Sequence, residues 1–152
     1  MREKYTKQDA QIHYFVVEFD PDELSWKDFR GKVIGATDPS VAHPESLRGV
    51  LYRNWKDLGI ESQPDISDNG VHGSAGPLAA LRERTVWLGT KPHEDPFGAT
   101  LTSHGVQRLE GWMMNPIVRL SREGNMMKGP CFDLTEDMDS DDVVGALTRE
   151  YT

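Results

Sequence analysis

The chain has 152 residues and a mass of 17.1 kDa, the size of one ordinary domain or of a domain with an extension. Seventeen Lys and Arg against 25 Asp and Glu leave a net charge of −8, which excludes generic binding to nucleic acid or anionic membrane, because both rest on summed positive charge. A local basic pocket for a phosphate is not excluded. The single cysteine, Cys131, cannot close an internal disulfide, no apolar run approaches the roughly 20 residues of a membrane-spanning helix, and residues 1–9 lack the apolar core of a secretory signal. Together these point to a soluble chain in the cytoplasm.

In chain order, residues 12–19 (Ile-His-Tyr-Phe-Val-Val-Glu-Phe) are aromatic and β-branched and predict a buried strand. Residues 22–34 predict a helix with Asp22 and Glu23 at its positive end and Gly35 as its stop. From 36 to about 70 the punctuation by Pro39, Pro44, Pro64, Gly49 and Gly59 predicts an irregular segment with one short helix around 52–57. Val71 and His72 would close a short strand. Pro77 then opens a helix that ends at Gly89, with Leu78, Leu81, Thr85 and Leu88 on one face. Residues 90–98 read as a linker, followed by a helix over 101–112, a strand over 117–120, a turn at Gly124-Asn125 and a closing helix over 141–147 capped by Ser140. The domain boundary is expected near residue 90.

The stretch that carries chemistry is Asn69-Gly70-Val71-His72-Gly73-Ser74-Ala75-Gly76. A histidine in a glycine-flanked turn just before a helix meets two conditions for attack on a phosphoryl group. The glycines let a large anion approach, and the unpaired amides of a helix start favour negative charge. An imidazole so placed is a nucleophile if another group fixes its tautomer, and Glu83, in the middle of the next helix, is a candidate for that. Taken alone, the same turn reads first as the capped turn of a histidine that only packs.

The company that His72 keeps is more specific. Gly35-Ala36-Thr37-Asp38-Pro39, then Pro44-Glu45-Ser46-Leu47-Arg48-Gly49, then the Asn69–Ser74 stretch, then Glu83-Arg84-Thr85-Val86-Trp87-Leu88 with Lys91-Pro92 beyond it, stand in an order that resembles the nucleoside diphosphate kinases over roughly residues 12–92. The resemblance implies a ferredoxin-like antiparallel sheet within an α+β fold. It implies a ping-pong transfer of the γ-phosphate of a nucleoside triphosphate to a nucleoside diphosphate through a phosphohistidine on His72, with Mg²⁺ accompanying the nucleotide. Thr37 and Arg48 would contact the phosphates and Asn69 the sugar, while Ser74 and Glu83 would orient the imidazole.

The sequence also departs from the family pattern. Ala75 stands where the family has Asp, and the family's arginine four residues before Gly35 falls on Gly31, flanked by Arg30 and Lys32. The interval from Arg48 to Asn69 is roughly double the usual one. The family's first half, with its Lys-Pro-Asp motif, has no counterpart in residues 1–11, where Tyr5 is the nearest match to its tyrosine. The expected organisation is therefore a partial kinase-like domain over 1–92 and a C-terminal α/β extension over 93–152. The strand at 12–19 would present an open apolar edge that needs covering, by another polypeptide that supplies the first half, by a second copy in a homo-oligomer, or by the region after residue 92. The alternatives to a self-sufficient enzyme are a nucleotide-binding or assembly half-domain without turnover, and a fragment of a longer gene.

No other segment competes. Asp137, Asp139 and Asp141 have the first spacings of a calcium loop, but Asp142 and Thr148 stand where Gly and Glu are required. The run reads as the solvated start of a helix. Met113-Met114 and Met126-Met127 read as packing filler, Trp26 and Trp112 as core or interface, and the remaining histidines show no ligand spacing.

Overall fold

The computed structural model describes residues 6, 8–122 and 124–149; Tyr5 lies outside them. They divide into two compact units, one taking in the chain up to Leu24 and Asp28–Gly73, the other Ser25–Lys27 and the chain from Ser74 onward. The class is α+β, helices with one antiparallel hairpin. The units divide just after His72, whereas the sequence resemblance runs on to residue 92. Packing and sequence similarity thus draw different lines.

The first unit is mostly irregular. Residues 12–19 are not a strand. They run without ladder partners, and Tyr14, Phe15, Val16 and Val17 are all exposed. The side chains fit a sheet, but a strand needs a neighbour to take its backbone N–H and C=O groups, and the described residues offer none. Phe19 alone is partly covered, stacked on Phe29 with ring centroids 4.9 Å apart. The predicted helix at 22–34 is confined to a short α1 (Trp26–Asp28) and a π-helical α2 (Phe29–Ile34), the latter closed by Gly35 N–H donating to the Arg30 carbonyl at 3.0 Å. The short helix expected at 52–57 lies earlier, as α3 (Leu47–Asn54), because fully buried Ser46 caps it: its hydroxyl accepts from Gly49 N–H (3.2 Å) and donates to the His43 carbonyl (2.7 Å). Val71 and His72 are likewise outside any strand.

The second unit holds the main core. Helix α4 (Pro77–Leu88) starts at Pro77 and stops at Gly89, whose φ of 69° is the left-handed stop that glycine permits. Only its first half is buried: Leu78 and Leu81 are inaccessible, while Val86 and Trp87 are exposed. The expected linker is partly α5 (Pro96–Ser103), which Asp95 caps and Pro96 opens. The single helix expected over 101–112 is broken. Gly105 at φ 85° ends α5, and α6 (Leu109–Met113) begins after Arg108 at φ 55°. Strands β1 (Ile117–Arg122) and β2 (Asn125–Pro130) pair antiparallel in the register Ile117↔Pro130 to Arg122↔Asn125, with Gly124 at φ 80° in the turn. The short α7 (Cys131–Leu134) follows, and α8 (Ser140–Arg149) closes the unit. Ser140 is the first helical residue rather than the cap. Leu78 and Leu81 pack into one cluster with Leu101, Val106, Val143 and Leu147, all 0–1% exposed. At about 1.5–3 kcal/mol for each fully buried aliphatic side chain, this burial is the main stabilising term.

One ion pair locks α4 to α5. Asp95, 1% exposed, accepts from Arg84 Nε at 2.5 Å and Nη2 at 2.9 Å, and also caps α5 through the N–H groups of Phe97 and Gly98. Burial pushes the Asp95 carboxyl up, but the guanidinium and the two amides outweigh it and hold it below the ordinary carboxylate value. A depressed folded value stabilises the fold above the unfolded pKa of about 3.9, and that contribution is lost as pH falls through the folded value. Asp95→Asn should therefore cost on the order of 2–4 kcal/mol at pH 7. In urea unfolding the gap between wild type and variant should narrow below about pH 4.

Candidate functional site

In the first unit two loops converge on Arg48. It lies on α3, in the first turn after the Ser46 cap, half-buried, and donates from Nη1 to the Gly35 carbonyl (2.7 Å) and from Nε and Nη2 to the Val71 carbonyl (3.2 and 2.8 Å). One guanidinium thus ties the 35–39 loop to the segment that leads into His72. Its planar fork suits two acceptors at once, which an ammonium cannot match. A second tie runs between the same two segments, from Asn69 Nδ2 to the Thr37 carbonyl at 3.1 Å.

Glycine makes these approaches possible where a side chain would not fit. A Cβ on Gly35 would collide with the Ser46 hydroxyl, and Gly70 turns the chain at φ 78° beside Leu51. Within the 35–40 loop, Asp38 accepts from the Ser40 hydroxyl (2.6 Å) and the Ser40 N–H (2.9 Å), and these two bonds, the hydroxyl's first, lower its carboxyl below the ordinary value.

The structure thus brings Thr37, Arg48 and Asn69 together by hydrogen bonds among their own loops. His72 follows directly on Val71, the residue whose carbonyl Arg48 grips, and is exposed. Burial first, and the nearby charge of Arg30 second, pull the Arg48 guanidinium below its usual value. The charge of Arg30 thus acts on Arg48. Lys32, the other cation beside Gly31, is engaged with Asp28 at 2.7 Å.

Ser74 and Glu83 belong to the second unit. The Ser74 hydroxyl donates to Glu83 Oε2 at 2.6 Å, joining the start of the turn to the middle of α4. Trp26 and Asp139 also hold this turn, and sequence reasoning missed them. They meet across 113 positions with no local signal to announce it.

Among the described residues no group of three or more His, Cys, Asp or Glu side chains could hold a metal ion. No helix among them is long and apolar enough to cross a membrane.

Against curated proteins, the chain is 44% identical over 57 residues to the nucleoside diphosphate kinase of Synechococcus sp. (strain JA-3-3Ab), covering 38% of this chain and 31% of the relative. It is 35% identical over 72 residues to that of Nostoc sp. (strain PCC 7120), covering 43% of this chain and 41% of the relative. The nucleoside diphosphate kinase of a Picosynechococcus strain is 40% identical over 57 residues. The chain carries a nucleoside diphosphate kinase-like segment. It spans 31% to 41% of the length of these relatives. No family profile matches the chain, and no solved structure does.

If Arg48 scaffolds this kinase-like segment, Arg48→Met, with similar length and no donors, strands the carbonyls of Gly35 and Val71. It should cost about 1.5–3 kcal/mol and speed amide hydrogen exchange across residues 69–73. Arg48→Lys should restore little of that protection, since one ammonium cannot reproduce the fork.

Proposed function

We propose that the chain is a nucleoside diphosphate kinase-type phosphotransferase acting through His72. The observation that carries this is the double tie between the Thr37 loop and the Asn69–His72 segment, made by Arg48 and Asn69 at the positions the resemblance picks out. An unprotonated ring nitrogen of His72 attacks the γ-phosphorus of a nucleoside triphosphate, a P–N bond forms, and the bond to the β-phosphate oxygen breaks, releasing the diphosphate. A second diphosphate then attacks the phosphohistidine and the P–N bond breaks, so the reaction is ping-pong.

Three of the five N–H groups of Arg48 are spent on the scaffold. The remaining two and the Thr37 hydroxyl donate to the phosphate oxygens, and the Arg48 charge offsets theirs. Asn69 faces the sugar. Ser74 and Glu83, already paired, fix the imidazole. Mg²⁺ accompanying the nucleotide would neutralise further phosphate charge. The kinase-like domain runs over 1–92 and the extension over 93–152, in a cytoplasmic protein.

The ferredoxin-like sheet of such an enzyme is completed by strands that pair with residues 12–19, supplied by a partner chain or within a homo-oligomer. The exposed, unladdered state of those residues is what supports this. The same exposure, with Ala75 in place of Asp, favours a second reading: a half-domain that binds nucleotide without turnover.

The test is incubation of the full chain with γ-labelled ATP and Mg²⁺ beside His72→Ala. Phosphotransfer predicts label that is lost in acid, kept in alkali and absent from the variant. Nucleotide binding that His72→Ala leaves unchanged, with no label on either chain, would establish the second reading in its place.

A further inference from the structure

Trp26 belongs to the second unit although its sequence neighbours on both sides, beyond Ser25 and Lys27, belong to the first. What it does there is specific. Its backbone N–H donates to Asp139 Oδ1 at 2.6 Å, and its indole Nε1–H donates to the Ser74 carbonyl at 3.0 Å. Asp139 stands just before α8, where its own carbonyl accepts from Val143 N–H at 3.1 Å. A carboxylate at that place commonly caps its own helix; this one reaches Trp26.

Two further contacts come from the same 135–139 segment. Asp137 N–H donates to the Ala75 carbonyl at 2.9 Å. A Cβ on Gly76 would stand 2.8 Å from the Thr135 carbonyl oxygen, so the segment lies directly against that glycine. Thr135 is itself fixed, 2% exposed with its hydroxyl donating to the Cys131 carbonyl at 2.9 Å.

Ser74, Ala75 and Gly76 are therefore each held, directly or through Trp26, by the segment between α7 and α8. The backbone on both sides of the Ser74 side chain is fixed, and its hydroxyl meets Glu83 at 2.6 Å. Ala75 brings no polar side chain to this turn; its carbonyl is tied to Asp137 instead. We propose that Trp26 and the 135–139 segment form a clamp that positions the Ser74–Glu83 pair. Trp26 and Asp139 are then positioning residues for phosphoryl transfer, and the C-terminal extension supports the pair assigned to orienting the imidazole. This rests on the role given to His72 above. A side chain acts reproducibly on a neighbouring group only when its own supporting contacts are locked.

The test measures single-turnover labelling of the full chain by γ-labelled ATP, over a range of ATP concentrations, together with ¹H–¹⁵N spectra of the Trp26 indole and the Ser74 amide. Trp26→Phe removes the indole donor and keeps a ring. Asp139→Ala removes the acceptor, and Asp139→Asn keeps an oxygen that can accept from Trp26. The clamp predicts that Trp26→Phe and Asp139→Ala lower the limiting labelling rate about tenfold or more, with the half-saturating ATP concentration unchanged. Asp139→Asn should recover most of the rate. Asp139→Ala should also displace both the Trp26 indole and the Ser74 amide resonances.

Wild-type limiting rates in Trp26→Phe and Asp139→Ala would overturn the clamp's part in positioning while leaving phosphotransfer standing. A Ser74 resonance unmoved by Asp139→Ala would overturn the clamp itself. No label on any chain, with the resonances displaced, would overturn phosphotransfer and uphold the clamp as a structural contact.

Discussion

Burial of one face of α4 is the constraint on which the second unit depends. Leu78 and Leu81 are inaccessible to solvent, and the side chains around them come almost entirely from beyond residue 93. Each such leucine contributes about 1.5–3 kcal/mol relative to an exposed one. Remove the region after residue 93 and α4 presents a bare apolar stripe to water. The helix that carries Glu83 is thus at once the end of the kinase-like segment and the centre of the C-terminal core. That shared use is why the compact units part at residue 73, with the resemblance continuing past them. The Arg84–Asp95 pair, made across α4 and α5, reinforces the same attachment from the opposite end of α4.

In the first unit polar contacts replace a core. Among the described residues its buried apolar side chains are Ile34, Pro39, Ala42 and Pro64, too few to order the unit against a backbone entropy cost of about 1–2 kcal/mol per residue. Arg48 does much of the ordering, by joining carbonyls that would otherwise need water. A charged donor in that position has a second consequence. Burial, with the charge of Arg30 nearby, pulls its guanidinium below the usual value. Three of its five N–H groups are spent on the Gly35 and Val71 carbonyls.

The sequence was most legible where a local signal is sufficient. Pro77 and Gly89 mark the two ends of α4 to within one residue, because a missing N–H and a left-handed φ are properties of single residues. The strand at 12–19 misled, because β-branched and aromatic composition reports a fit to a sheet and says nothing of whether a neighbour is present. Strand β2 went unread for the opposite reason. Asn-Met-Met-Lys-Gly-Pro has no β-branched residue, and it is a strand because β1 pairs with it. Helix α5 hid behind Asp95-Pro96, a cap and first-turn proline that resemble linker punctuation. In the site, Thr37, Arg48 and Asn69 were visible through motif order, and the structure draws them together. The Trp26–Asp139–Ser74 chain of contacts was not, since each residue has an ordinary local reading and only tertiary packing joins them.

The central claim is that the kinase-like segment passes phosphate through His72 from one nucleotide to another. Initial rates of transfer from ATP to a second nucleoside diphosphate, with both concentrations varied, test it most directly. A phosphohistidine intermediate predicts parallel double-reciprocal lines, because the first diphosphate leaves before the second binds. Intersecting lines, or no transfer beyond that of His72→Ala, would contradict it.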